Sequence, residues 1–311
     1  MLFAGLVAIA AALAGASLAA EEHPRAAAFC LKRGWTRNAE SLAVWLQVPL
    51  NSTVVASGDG RIVVVPNPPG GPVVGAELGF GDSLVAFTIE GKMFQVVVTT
   101  INGSERARFP NTIGSHWCPW APMLAIMKAR PGEEGEEGPQ SLGINVWDAN
   151  TGKSQEFPDR AYELGWVAVD TLVVDDTMSF RDLVLSTGVS TPSRYHGTII
   201  SPDARYSVFI SPEGGEEVWD VQRHAEITRR VLRAAGVSVL TGDPSRYPFW
   251  VRSGRPHDLV IPGSGGKVVI VDVGTMSKRA TISGDFLGPT SDASGIAIST
   301  RKEVRVVAVE P

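Results

Sequence analysis

Ser201, Pro202, Asp203, Ala204 and Arg205 open an apolar run, and Val218, Trp219 and Asp220 close the next one; variants of this phrase return along the chain. A unit made of strand, polar turn, strand and a further strand ending in Asp cannot bury its own apolar faces. It is stable only when stacked on copies of itself, so the repeat constrains the fold more than any other feature. Three more copies of the turn lie at residues 57–61, 118–122 and 290–294, each followed by an apolar run, at 62–65, 123–126 and 295–298. Successive copies are separated by about two repeats of roughly 40 residues each, and each gap holds a degenerate copy. These are the β-rich runs at residues 84–89, 172–174 and 259–261, which bring the count to seven. The predicted fold is all-β: a seven-bladed β-propeller of four-stranded antiparallel blades.

A second turn supports the same count. Val146, Trp147 and Asp148 lead to Thr151 and Gly152; Leu185 leads to Thr187 and Gly188; Val271 and Asp272 lead to Gly274 and Thr275; Thr100 leads to Asn102 and Gly103. Such turns need a residue tolerant of positive φ and form the outer hairpin of each blade. The run at 304–309 is then the third strand of the last blade, and residues 41–48, with Trp45 among aliphatic neighbours, supply the missing fourth strand. Pairing first and last segments removes two open sheet edges. Residues 41–311 are read as one propeller domain. Residues 225–235 are the best helical candidate and fit an outer strand with a following loop equally well.

The phrase at Ser201, Pro202 and Asp203 and the hairpin from Asp148 to Gly152 resemble the WD-repeat-like propeller repeats of the TolB type. The likeness spans the repeat region, roughly residues 41–311, and leaves no room for the separate N-terminal domain of TolB proteins. It implies the repeat family, not TolB function. Within that family the turn aspartates, here Asp59, Asp203 and Asp292, hold backbone N–H groups and serve the fold.

Residues 2–20 are uncharged and rich in Ala and Leu, give way to Glu21 and Glu22, and offer Ser17 and Ala19 for cleavage near Ala20. Residues 1–20 are therefore read as a signal peptide and 21–40 as a lead segment, which places the protein in the periplasm or outside the cell, with no membrane span after the signal is removed. In that setting Cys30 and Cys118, the two cysteines, are candidates for a disulfide. A net charge of −5 without a basic run argues against nucleic acid as a partner. The acidic stretch Glu133, Glu134, Glu136 and Glu137 reads as a solvated hairpin insert.

The chemistry is sparsely signalled. The five histidines, His23, His116, His196, His224 and His257, never pair at ligand spacing, so no metal or other cofactor is expected. Strand ends and turns of a propeller gather at the mouths of its channel, which makes His116, Trp117, Trp120, Trp166, His196, Tyr247 and Trp250 the candidate rim or channel residues. The competing reading puts the tryptophans between blades, and Trp147 and Trp219 belong to that class. The expected function is an interaction module, monomeric, that holds a protein, peptide or glycan. The alternative is a propeller enzyme of the lyase, lactonase or quinoprotein kind, with His116, His196 or Asp170 in the channel.

Overall fold

A computed structural model describes residues 52–56, 62–79, 81–130, 140–176, 178–210, 215–240, 247–252, 255–263, 266–289, 293–300 and 304–309. The signal and lead segments with Cys30, the strand expected at 41–48, the turn at 57–61, the acidic insert and the first half of the turn at 290–294 lie outside these residues. Within them the chain forms small antiparallel sheets in a propeller-like ring.

A hairpin of β1 (Ser52–Ala56) and β2 (Ile62–Pro66) comes first. The blades are numbered here from the next strand. The first contains β3 (Val73–Leu78), β4 (Leu84–Ile89), β5 (Phe94–Thr100) and the opening half of β6 (Glu105–Trp117). The closing half of β6 begins the second blade, with β7 (Met123–Arg130), β8 (Gln140–Asp148) and β9 (Ser154–Phe157). Thr112 is the changeover, paired with Phe94 on one side and Lys128 on the other, and Asn111 just before it takes a positive φ of 55° to turn the strand. The third blade is β10 (Glu163–Ala168), β11 (Thr171–Asp175), β12 (Phe180–Val184) and β13 (Val189–Pro192). The fourth is β14 (Ile199–Ile200), β15 (Tyr206–Ile210), β16 (Glu216–Asp220) and β17 (Ala225–Glu226), followed by helix α1 (Thr228–Ala235). The fifth is β18 (Phe249–Trp250), β19 (Asp258–Gly263), β20 (Lys267–Asp272) and β21 (Ser277–Ser283). The sixth has three strands, β22 (Asp285–Pro289), β23 (Gly295–Ser299) and β24 (Val304–Ala308).

All seven apolar runs picked out by the repeat are strands: β2, β4, β7, β11, β15, β19 and β23. Six of them are the second strand of a blade. Their sequences are continuously apolar because neighbouring blades cover both faces, as at Leu172, Val173 and Val174, all fully buried. The turns repeat as well. Gly79, Cys118 and Ser201 each donate their backbone N–H across the first turn, to the carbonyls of Leu84, Met123 and Tyr206. A left-handed residue sits at the matching place in three blades: Asp82, Ala204 and Ala293, at φ 54°, 57° and 54°. A further backbone bond ties the two turns of every blade, from Ile101 to Ser83, Ala149 to Pro122, Leu185 to Asp170, Val221 to Arg205, Val273 to His257 and Val309 to Ser294. In the outer turns the left-handed position falls on Gly103, Gly152, Gly188, His224 and Met276, so in the fifth blade it is Met276 rather than the expected Gly274. Gly274 is required for another reason, since a Cβ there would lie 2.6 Å from His257 Nδ1.

Residues 225–235 divide between the two readings. Ala225 and Glu226 are the outer strand, and the rest is α1, with Thr228, Val231 and Ala235 buried at helical spacing and Arg229, Arg230 and Arg233 turned outward. Gly236, at φ 72°, ends it in the left-handed cap that glycine favours.

The innermost strands stand side by side around the ring, and indoles lock them. Trp117 donates its ring N–H to the carbonyl of Glu77, Trp166 to that of His116 and Trp250 to that of Ile199, at 3.1, 3.0 and 3.0 Å. Each bond runs from one blade to the blade before it, and each acceptor lies two residues ahead of Gly79, Cys118 or Ser201, the residues that open the first turns. Trp250→Phe keeps most of the buried ring but leaves the Ile199 carbonyl without its donor, and a loss of about 1 kcal/mol in urea unfolding is expected.

Candidate functional site

The clamps decide which candidate residues remain for a ligand. Trp117, Trp166 and Trp250 are buried between blades, as is Trp147, which meets Trp117 and Phe109 ring to ring. Trp120 and Tyr247 keep 39% and 48% of their surface. His196 precedes β14, whereas His116 stands near the end of β6, so the two histidines occupy opposite ends of their innermost strands. His196 stacks on Trp219 with ring centroids 4.0 Å apart and belongs to an aromatic cluster with Phe180. Asp170 serves its turn, accepting the Thr171 and Ser186 hydroxyls.

His116 keeps an exposed side chain although protein packs closely around it. The lost hydration lowers its pKa, so the imidazole is neutral at physiological pH. Cys118, fully buried at the start of the same turn, is a free thiol among the described residues, and burial raises its pKa, which makes the unpaired thiol a poor nucleophile.

Glu77, near the end of β3, completes this end of the ring. Its carboxylate accepts the Trp117 backbone N–H at 3.3 Å, and burial raises its pKa to about 7 against the pull of that bond and of the Arg252 charge. Arg252 follows β18, and its guanidinium carbon lies 5.4 Å above the Trp120 ring. Trp120 belongs to the second blade and Arg252 to the fifth, with the third and fourth between them, so this cation–π contact crosses the mouth of the channel. A second group lies lower in the innermost strands. Glu163, at the start of β10, accepts the Thr198 hydroxyl at 2.9 Å, and burial and the Asp175 charge raise its pKa. Tyr247 is raised by burial and by the nearby Glu163.

Glu77, Arg252, Glu163 and Thr198 were not among the residues singled out from sequence. The signal available was a lone carboxylate inside an apolar innermost strand, as in the β3 sequence VVGAEL and the β10 sequence ELGWVA. A side-chain hydrogen bond also joins the fourth and fifth blades, where Asp203 Oδ2 meets His257 Nε2 at 2.7 Å. Burial opposes the Asp203 charge, yet hydrogen bonds from Ser201, His257 and the Arg205 backbone hold its pKa below the usual range. Asp203 is therefore a fold residue, as the repeat implies. Among the described residues no group of three or more His, Cys, Asp or Glu is placed to hold a metal ion, and no helix is long and apolar enough to cross a membrane.

Two grooves open elsewhere. One, of about 360 Å³, runs between the outer strand of the first blade and the outer turn of the second, lined by Arg106, Phe109, Asn150 and Thr151 among others. The other, of about 500 Å³, is lined by Asp159, Arg160, Asp176, Met178 and Arg181.

The fold thus defines the chain as a propeller-like repeat protein with a charged and aromatic channel mouth. No protein-family model matches its sequence, and no curated protein matches it.

Proposed function

We propose that this is an exported, WD-repeat-like propeller of the TolB type that works as an interaction module, holding a protein, peptide or glycan partner at one mouth of its channel. In this reading the β1–β2 hairpin is what remains of a seventh blade, and the strand at 41–48 closes the ring. The signal peptide at 1–20 directs export, and Cys30 pairs with Cys118 to tie the lead segment down. The observation that carries the binding role is the exposed Trp120 ring bridged by Arg252 across the mouth, while the tryptophans beside it are used up in blade clamps. An exposed aromatic next to a fixed charge is the pattern of a recognition surface.

One observation favours the enzyme reading. Glu77, with a pKa of about 7, and the neutral His116 both belong to the same end of the channel, and a carboxyl poised near neutrality suits general acid–base work. Native mass spectrometry of the mature protein, gently isolated from the envelope or medium of its host, separates the two. The module predicts a chain lacking residues 1–20 with a polypeptide or glycan bound. A bound metal or organic cofactor instead selects the enzyme, and recovery from the cytosol with Met1 in place refutes export.

A further inference from the structure

We infer that the channel mouth is a carboxylate-binding site, built by Trp120, Arg252 and Glu77 from three blades, and that it takes the C-terminal carboxylate of a peptide. The inference rests on the interaction-module reading and names the chemistry of its ligand. The guanidinium carbon of Arg252 lies 5.4 Å from the centre of the Trp120 ring, a cation–π contact that keeps the planar fork at the mouth. A guanidinium carries five N–H donors, so a carboxylate adds to whatever Arg252 already contacts, and two parallel bonds to one carboxylate are its preferred geometry.

Glu77 would oppose an incoming anion if it were charged. Burial keeps it protonated up to about pH 7, and a protonated carboxyl donates a hydrogen bond to a carboxylate instead of repelling it. The strands that flank β3 leave this balance to few groups. β1 and β4 carry no titratable side chain, and the charged residues Glu105, Arg106 and Arg108 of β6 belong to its outer half, away from the mouth. Among the described residues what remains is His116 and Cys118 of the second blade, both neutral at pH 7, and Arg252 of the fifth.

The shape favours a chain end. A mouth that one arginine side chain crosses to reach Trp120 admits an extended peptide, whose width is close to the strand spacing of about 5 Å, more readily than a substituted sugar ring.

Titration of the full mature chain with N-acetylalanine, its methylamide and galacturonate, followed by NMR of the tryptophan indole resonances, tests the site. N-acetylalanine is expected to shift the Trp120 indole at pH 6, to bind about tenfold or more weakly at pH 8.5, and to lose about tenfold in affinity in Arg252→Gln. Glu77→Gln, whose amide donates at any pH, is expected to retain binding at pH 8.5. Equal binding of the methylamide, unchanged affinity in Arg252→Gln, or no binding of N-acetylalanine overturns the site, and preference for galacturonate overturns the peptide terminus. If a polypeptide still co-purifies in the native spectrum, the interaction module stands without this site; if none does, the module fails first.

Discussion

Gly165→Ala is expected to destabilise the protein by roughly 3 kcal/mol or more, read as a fall in its urea midpoint. Gly165 sits in β10 with an ordinary backbone conformation, so the cost is one of space. A Cβ there would lie 1.9 Å from the carbonyl oxygen of Thr198 and 2.7 Å from its carbonyl carbon, both backbone atoms of the fourth blade. No rotamer relieves such a contact; the third and fourth blades must separate, and the Thr198 bond to Glu163 goes with them. Gly152→Ala is the contrasting control. Nothing lies within 4 Å of a Cβ at that outer turn, and only the φ of 69° opposes a side chain, for a cost of about 1 kcal/mol. Equal losses in the two variants would mean that the blade interface yields easily and that the close approach at Gly165 is not what holds it.

Glu77→Gln is expected to stabilise the protein at pH 8 and to change little at pH 5. The folded carboxyl titrates near 7 and the unfolded one near 4.5, so between those values the folded state holds a proton that the unfolded state has lost. Stability from this group is complete below the unfolded value and falls as pH rises through the folded one. At pH 8 the buried charge costs about 3 kcal/mol at most, a figure reduced by whatever water reaches the carboxyl. Glutamine removes the charge and still accepts the Trp117 N–H. Urea titrations of both proteins at pH 5 and pH 8 read the double difference directly, and a variant no more stable than the parent at pH 8 refutes the desolvated carboxyl.

Much of the ring could be read along the chain because its rules are local. The second strand of each blade follows a short polar turn and is buried on both faces, so an apolar run bounded by turn residues marks it; Leu84–Ile89 and Tyr206–Ile210 match their strands end to end. The double duty of β6 was not read, since Pro110 and Asn111 look like a break between strands and are instead the bend within one. Trp117, Trp166 and Trp250 could be read either as rim residues or as packing between blades, and the clamp could not be told from sequence because its acceptors are backbone carbonyls, which carry no residue-type signature. The channel mouth escaped for a related reason. Glu77, Trp120 and Arg252 come from three blades far apart in sequence, and only the propeller-like arrangement of blades brings them together.

The indole clamps also have a direction in time. In all three, the later blade supplies the donor and the earlier blade the carbonyl, so each acceptor has been synthesised before the tryptophan that will claim it. Chains emerge N-terminus first, and in repeat architectures each unit packs on its neighbours. A growing chain can therefore dock each new blade onto a finished predecessor as it emerges, like slates laid from one edge of a roof, and Trp250, the last of the three to appear, fastens only when most of the ring is already in place.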